Sequence, residues 1–108
     1  MNRGELWVGA EAGYASKPRP ALIVQSDRYC DDESVVTCLV TSHSTDSSGS
    51  AYRVILPRTD ANGLKTDSFV MLDKIVAIPR QKLVKRIGVI DPEKMDEIYT
   101  QLVDFLAE

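Results

Sequence analysis

Two positively charged residues alternate with two prolines directly before an apolar run. Lys17 and Arg19 alternate with two prolines, and the apolar run 21–24 follows directly. Each proline fixes its own φ and favours extended geometry in the residue before it, so both cations lie on a stiff segment that leads into a strand. An Arg held in this way can bind a phosphate through two parallel hydrogen bonds. The segment fits a phosphate-binding site, and it equally fits a rigid loop with a structural ion pair.

A row of polar side chains follows the next β-branched, largely apolar run. Residues 34–40 form that run, and Thr41, Ser42 and His43 begin a stretch of five hydrogen-bonding side chains. With Arg19 they suit binding of a phosphodiester, or metal-free cleavage of RNA by attack of the 2′-hydroxyl on the adjacent phosphorus. That reaction needs a cation at the developing phosphorane charge and a group that moves protons, and it discriminates against DNA. A loop rich in turn-forming residues would have the same composition.

Other kinds of chemistry lack their sequence signals. The chain has one His, and its two cysteines, Cys30 and Cys38, fit neither a zinc site nor a disulfide framework. The sequence contains no acidic pair at a metal-binding spacing, no Gly-rich phosphate loop and no G-x-S-x-G motif. We therefore expect no metal and no cofactor. Cys38, which lies in an apolar run, is expected to be a buried free thiol.

Charge is distributed unevenly along the chain. The net charge is -3, yet residues 51–90 carry eight Lys and Arg against three Asp and Glu, and both flanking segments are acidic. A basic middle segment can produce a local positive surface that binds nucleic acid, although exposed strands often carry Lys and Arg without such a role.

The length of 108 residues fits a single domain, 1–108. No apolar run approaches the about 18 residues of a membrane span, and the N-terminus is too polar for a signal peptide. The chain is therefore expected to be cytoplasmic, with no membrane partner.

The hydrophobic pattern predicts a mainly β (α+β) fold. Strands are predicted at 3–8, 21–25, 34–40, 52–56, 67–78 and 85–90. Asn62-Gly63 predicts a turn, residues 67–78 form either one long strand or a bent pair, and residues 80–83 fit one short helical turn. We expect a compact β-barrel or a strongly bent sheet.

A C-terminal helix completes the predicted fold. Asp91 is the expected N-cap and Pro92 the first helical residue. The apolar positions that follow have helical spacing: Met95, Ile98, Tyr99, Leu102, Val103 and Leu106. This face is expected to pack on the sheet.

Several short segments, taken in order, resemble the MazF/PemK family of toxins from type II toxin–antitoxin operons. The segments are Arg3-Gly4-Glu5-Leu6-Trp7, Lys17-Pro18-Arg19-Pro20, Val40-Thr41-Ser42, Gly63-Leu64, Asp67-Ser68, Leu72-Asp73-Lys74-Ile75, Ile78-Pro79 and Gly88 with the final helix. Their order and spacing cover nearly the whole chain, and together they are far more specific than any one of them.

The resemblance implies a small SH3-like β-barrel with a C-terminal helix, of the CcdB/PemK-like type, that works as a homodimer. It implies a metal-independent, sequence-specific endoribonuclease, an mRNA interferase, that cleaves single-stranded mRNA. The products would carry a 2′,3′-cyclic phosphate and a 5′-hydroxyl. A cognate MazE-like antitoxin would cover the active groove until it is degraded.

The same resemblance assigns the catalytic pair to Arg19 and Thr41. Arg19 would stabilise charge in the transition state, with proton donation as a second candidate role, and Thr41 would hydrogen-bond the scissile phosphate. Asp73 is a candidate general base by position and otherwise a carboxylate that holds the fold. His43 is the other candidate, because imidazole is the side chain whose unperturbed pKa lies near neutrality and the chain has one His. The expected RNA-binding residues are Lys17, Ser42, His43, Ser68 and Lys74.

Two positions depart from the family pattern and leave the general base open. Lys74 stands where many members have Gln, and Met71 stands where some relatives have Arg. Two other functions remain as alternatives: a CcdB-like toxin that poisons DNA gyrase by protein contact, and an SH3-like binding module. The Arg19–Thr41 pair favours the nuclease, since a gyrase-binding toxin does not need it.

Overall fold

The computed structural model describes residues 1–9, 19–29, 33–42 and 52–107. Within these ranges the strands are β1 (Glu5–Gly9), β2 (Pro20–Ile23), β3 (Ser34–Thr41), β4 (Arg53–Leu56), β5 (Ser68–Pro79) and β6 (Leu83–Val89). One helix, α1 (Pro92–Leu106), follows them, and two single 3₁₀ turns cover Asp27–Tyr29 and Arg80–Lys82. All six predicted strands, the short turn after Pro79 and the C-terminal helix are confirmed.

The strands form one antiparallel sheet in the order β4-β5-β3-β2-β1-β6. Its central strands are buried on both faces, because alternate side chains enter two separate apolar clusters. Leu22 and Cys38 pack in the cluster that also contains residues of α1, whereas Ala21 and Leu39 pack in the other cluster. This double burial explains why β2 and β3 have continuous apolar runs instead of an apolar–polar alternation.

Among the described residues, the strands do not close into the barrel that we expected from the sequence. The edges of the sheet are β4 and β6, and residues 57–67, which follow β4, pack against β6. Val89 N donates a hydrogen bond to Ala61 O at 3.0 Å. A Cβ on Gly88 would collide with the Asn62 backbone, so the two segments touch backbone to backbone. The α+β class is confirmed, but a loop rather than strand pairing joins the two edges.

A bulge divides β5. Cys38 of β3 pairs with Ile75, but Val40, only two residues further, pairs with Val70. Residues 71–74 therefore stand opposite Leu39 alone, three residues more than regular pairing would place there, and such an irregularity bends a strand. The first part of β5 pairs with both β4 and β3, and the part after the bulge pairs with β3 alone. The sequence leaves open whether residues 67–78 form one strand or a bent pair of strands. The structure has one bent strand, β5.

Only half of the predicted apolar face of α1 is buried. The Asp91 side chain accepts a hydrogen bond from Lys94 N at 3.0 Å, and Pro92 is the first helical residue, as predicted. Met95, Ile98 and Leu102 are buried against the sheet, whereas Tyr99, Val103 and Leu106 are 48%, 46% and 62% exposed. Among the described residues, no helix has the length and apolar character needed to cross a membrane.

Cys38 is a buried free thiol, as the sequence predicts. Burial raises the pKa of the Cys38 thiol to about 12, and the negative charge of Asp73 contributes to the increase. Such a thiol is protonated and unreactive at neutral pH. Cys30 lies outside the described residues.

Candidate active site

The pairing of β2 with β3 places Arg19 beside Thr41. Ala21 pairs with Leu39, and in an antiparallel pair the residues two positions further out face each other as well. Arg19 Nη1 donates a hydrogen bond to Thr41 Oγ1 at 2.9 Å. The two residues that the sequence predicts as a catalytic pair are therefore in direct contact.

Thr41 is held firmly at this position. It is the last residue of β3, lies between β2 and β5, pairs with Phe69 of β5 and is only 4% exposed. Its β-branched side chain has few χ1 rotamers in a strand, which fixes the direction of the hydroxyl. A buried hydroxyl thus orients one arm of the Arg19 guanidinium, which is itself partly exposed.

Arg19 and Thr41 line a cleft of about 460 Å³. Of the described residues that line it, the charged ones are Arg19 and Lys65, and both are cations. Hydroxyl groups form most of the remaining polar lining: Thr41, Ser42, Thr66 and Ser68. Cations and hydroxyl donors, with no carboxylate among these lining residues, favour an anionic ligand such as a phosphodiester.

Residues 63–66 form another part of the cleft wall. The buried side-chain amide of Asn62 fixes the backbone of this loop. Asn62 is 2% exposed; its Oδ1 accepts from Thr59 N at 3.1 Å and Leu64 N at 3.0 Å, and its Nδ2 donates to Pro57 O at 2.9 Å. Gly63 has φ +71, which favours glycine, and a Cβ there would collide with the Ile87 carbonyl. The predicted Asn-Gly turn is confirmed, and it packs tightly on β6.

The predicted RNA-binding residues fall into three groups. Ser42 and Ser68 line the cleft, and the buried Ser68 donates a hydrogen bond to Thr66 O at 3.0 Å. Lys74 lies at the β5 bulge and is not among the residues that line the cleft. Lys17 and His43 lie outside the described residues.

Asp73, the candidate general base, also lies at the bulge. It is exposed and is not among the residues lining the cleft that contains Arg19. The structure therefore does not bring the carboxylate into the same cleft as the Arg19–Thr41 pair. Its catalytic role stays a prediction.

Three residues that shape the cleft have no local sequence signal of a functional role: Asn62, Lys65 and Thr66. In the sequence Asn62 is half of a turn signal, and nothing local indicates that this turn packs on β6 beside the cleft that contains Arg19. The basic composition of residues 51–90 was the one signal that pointed toward Lys65.

A second polar cluster joins β1 to β6. Trp7 Nε1 donates a hydrogen bond to Glu5 Oε1 at 2.8 Å, and Arg86 Nε lies 3.5 Å from Glu5 Oε2. Burial alone would raise the pKa of Glu5. The hydrogen bonds with Trp7 and Asn2, together with the positive charges of the N-terminus and Arg86, outweigh that effect and hold the pKa of Glu5 below its ordinary value.

Comparison with known proteins identifies the class of the chain. Residues 2–106 match the family described as PemK-like, MazF-like toxins of type II toxin–antitoxin systems. The chain belongs to this family. The resemblance that the sequence motifs indicated is thereby confirmed.

Individual relatives agree with this assignment. The chain is 36% identical over 108 residues to a probable endoribonuclease MazF from Mycolicibacterium smegmatis, covering 99% of this chain and 97% of the relative. A solved endoribonuclease, in complex with its cognate antitoxin, from a mycobacterial species aligns with TM-score 0.79 and 23% identity over 100% of this chain and 98% of that one. A chain of a MazE–MazF crystal structure from Deinococcus radiodurans aligns with TM-score 0.76 and 21% identity, covering 98% and 95%. The structural similarities establish the fold.

Proposed function

We propose that this protein is the toxin of a type II toxin–antitoxin system and that it cleaves single-stranded mRNA at specific sequences. The observation that carries the proposal is the hydrogen bond of 2.9 Å between Arg19 Nη1 and Thr41 Oγ1 in a cleft lined by cations and hydroxyls. Family membership and the relative described as a probable endoribonuclease MazF support the same activity.

The proposed reaction uses the RNA's own 2′-hydroxyl as the nucleophile. The 2′-oxygen bonds to the adjacent phosphorus, the bond from phosphorus to the 5′-oxygen breaks, and the products carry a 2′,3′-cyclic phosphate and a 5′-hydroxyl. Arg19 would stabilise the charge that develops on the phosphorane oxygens, which is the largest single contribution in many such sites. Because the guanidinium supplies this positive charge, we propose that the reaction needs no divalent metal.

Two protons must move during this reaction. One leaves the 2′-hydroxyl and one reaches the 5′-oxygen, for which Arg19 is a candidate donor. Asp73 and His43 are the candidates for the general base. Asp73 is exposed and lies outside the described cleft lining, and His43 directly follows Ser42, which lines the cleft. A general base must come within hydrogen-bond reach of the proton it removes once substrate is bound.

We further propose that the toxin is a cytoplasmic homodimer inhibited by a MazE-like antitoxin. An acidic, partly disordered antitoxin segment would occupy the cationic cleft, because an extended acidic chain presents charges of the same sign as RNA. Support comes from relatives solved with a cognate antitoxin and as MazE–MazF complexes. We expect RNA to bind along or near the dimer interface, where cations from two chains can combine.

The alternatives are less well supported. A gyrase poison or a binding module has no need for the contact between Arg19 and Thr41, and two of the matched relatives are described as endoribonucleases. The gyrase-binding alternative is therefore not favoured.

The test is cleavage of a single-stranded RNA oligonucleotide by pure protein in EDTA. We expect one product with a 2′,3′-cyclic phosphate, and no cleavage of an oligonucleotide with 2′-deoxyribose at the scissile position. Activity that vanishes in EDTA and returns with magnesium would contradict the metal-independent mechanism. Cleavage of the 2′-deoxy substrate would contradict attack by the 2′-hydroxyl.

A further inference from the structure

Lys65 shares the cleft with Arg19. Lys65 and Arg19 are the charged residues among the described residues that line the cleft, and the Lys65 side chain is exposed. Within the described ranges no carboxylate forms an ion pair with Lys65, whereas Arg58, Arg86 and Lys94 each have one. Its ammonium group is thus available to a ligand in the cleft.

The backbone that carries Lys65 is fixed although it belongs to a loop. Leu64, the preceding residue, is 6% exposed, and its N–H is held by Asn62 Oδ1 at 3.0 Å. Gly63 and Gly88 permit backbone contact between this loop and β6. Functional side chains are placed precisely when buried groups restrain the backbone that carries them.

We propose that Lys65 is a substrate-binding residue that contacts the RNA backbone at a phosphate flanking the scissile one. This proposal rests on the proposed function. The two cations are assigned different phosphates because their side-chain chemistry differs. Arg19, planar and oriented by Thr41, suits the reacting phosphate, whereas an ammonium on a flexible stem acts as a hydrated point charge that suits a non-reacting phosphate.

A phosphate contact has a measurable signature that differs from that of a base contact. Losing one contact to a single strand lowers the slope of log K against log salt by about 0.7, and it weakens binding to all sequences alike. We expect Lys65→Ala to raise KM roughly three- to tenfold at low salt with kcat nearly unchanged, because the contact is equal in ground and transition states. Lys65→Arg should restore most of the affinity.

Lys82→Ala is the matched control. Lys82 is also exposed and carries the same charge, but it lies in the 3₁₀ turn between β5 and β6 and is not among the residues that line the cleft. Both variants change the net charge equally, so a difference between them reports position. We expect the Lys82 variant to keep the wild-type KM and salt slope.

The experiment measures single-turnover cleavage, together with affinity for an RNA oligonucleotide whose scissile 2′-hydroxyl is replaced by hydrogen, from 50 to 300 mM salt. If wild-type protein binds RNA without cleaving it, the proposed function fails, and the affinity series still decides the role of Lys65. If wild-type protein cleaves and the Lys65 and Lys82 variants behave alike, only the Lys65 proposal fails. A change in cleavage-sequence preference, or a loss confined to kcat, also overturns it. Failure of the wild-type protein to bind RNA overturns both.

Discussion

The end of the β2–β3 ladder and the bulge in β5 place polar side chains in different ways. At the ladder end, regular pairing carries Arg19 and Thr41 into contact. At the bulge the register shifts, and Asp73 is exposed outside the described lining of the cleft. A regular ladder fixes which residues meet, whereas a bulge redirects side chains in a way that depends on tertiary packing.

This comparison predicts the largest effect for Arg19→Lys. The variant should keep the fold and much of the RNA affinity but lose about 10²–10³ in single-turnover cleavage rate, because an ammonium lacks the planar two-point contact. Circular dichroism checks folding, and Lys65→Ala, with its expected effect on KM, provides the contrast. A folded Arg19→Lys protein that cleaves at the wild-type rate would remove Arg19 from the mechanism.

Thr41 should have a smaller effect than Arg19. Thr41→Ala removes the hydroxyl that orients the guanidinium, and the loss of one such hydrogen bond corresponds to about tenfold in rate. Thr41→Ser keeps the hydroxyl but frees its rotamer, so it should retain part of the activity. Equal rates for the Ser and Ala variants would show that the oriented hydroxyl is not what matters at this position.

The bulge is tested by Asp73→Asn. Because Asp73 is exposed and lies outside the described lining, we expect less than a tenfold loss of cleavage and an unchanged pH–rate profile. His43→Ala, measured in parallel, tests the other candidate base. A loss of 10² or more with Asp73→Asn, together with loss of the acidic limb of the profile, would make Asp73 the general base and the bulge part of the active site.

Much of the fold was predictable because its causes are local, whereas the pairing of Arg19 with Thr41, 22 residues apart, was expected from the family resemblance. Two prolines keep the chain around Arg19 extended before β2, and a β-branched run predicts β3, which ends at Thr41. Asp91-Pro92 predicts the start of α1. The bulge in β5 and the contact between residues 57–67 and β6 were not predictable. Both depend on pairs of residues far apart in sequence, such as Gly63 with Ile87.

The width of the buried face of α1 shows the same limit. Helical spacing predicts six apolar positions, but only Met95, Ile98 and Leu102 are buried within the described chain. Tyr99 instead lies against the Arg3 guanidinium, whose Cζ is 4.3 Å from the ring centroid. Periodicity identifies an apolar face, and the shape of the sheet decides how much of that face it covers.

The smallest effect on cleavage is expected at Glu5, whose polar cluster serves stability. Glu5 bonds Trp7 and pairs with Arg86, and it does not line the cleft. Its pKa is lowered in the folded chain, so its stabilising contribution is fully present above the unfolded pKa and is lost as pH falls through the folded pKa.

Glu5→Gln should therefore reduce the free energy of unfolding by about 1 kcal/mol at pH 7 and progressively less on acidification below pH 4.5. Urea unfolding followed by the fluorescence of Trp7, the single tryptophan, measures this at each pH, and cleavage by the folded variant should stay near the wild-type rate. A difference in stability between the variant and the wild type that is constant from pH 7 to pH 3 would show that the lowered pKa of Glu5 contributes nothing to the stability of the β1–β6 pair.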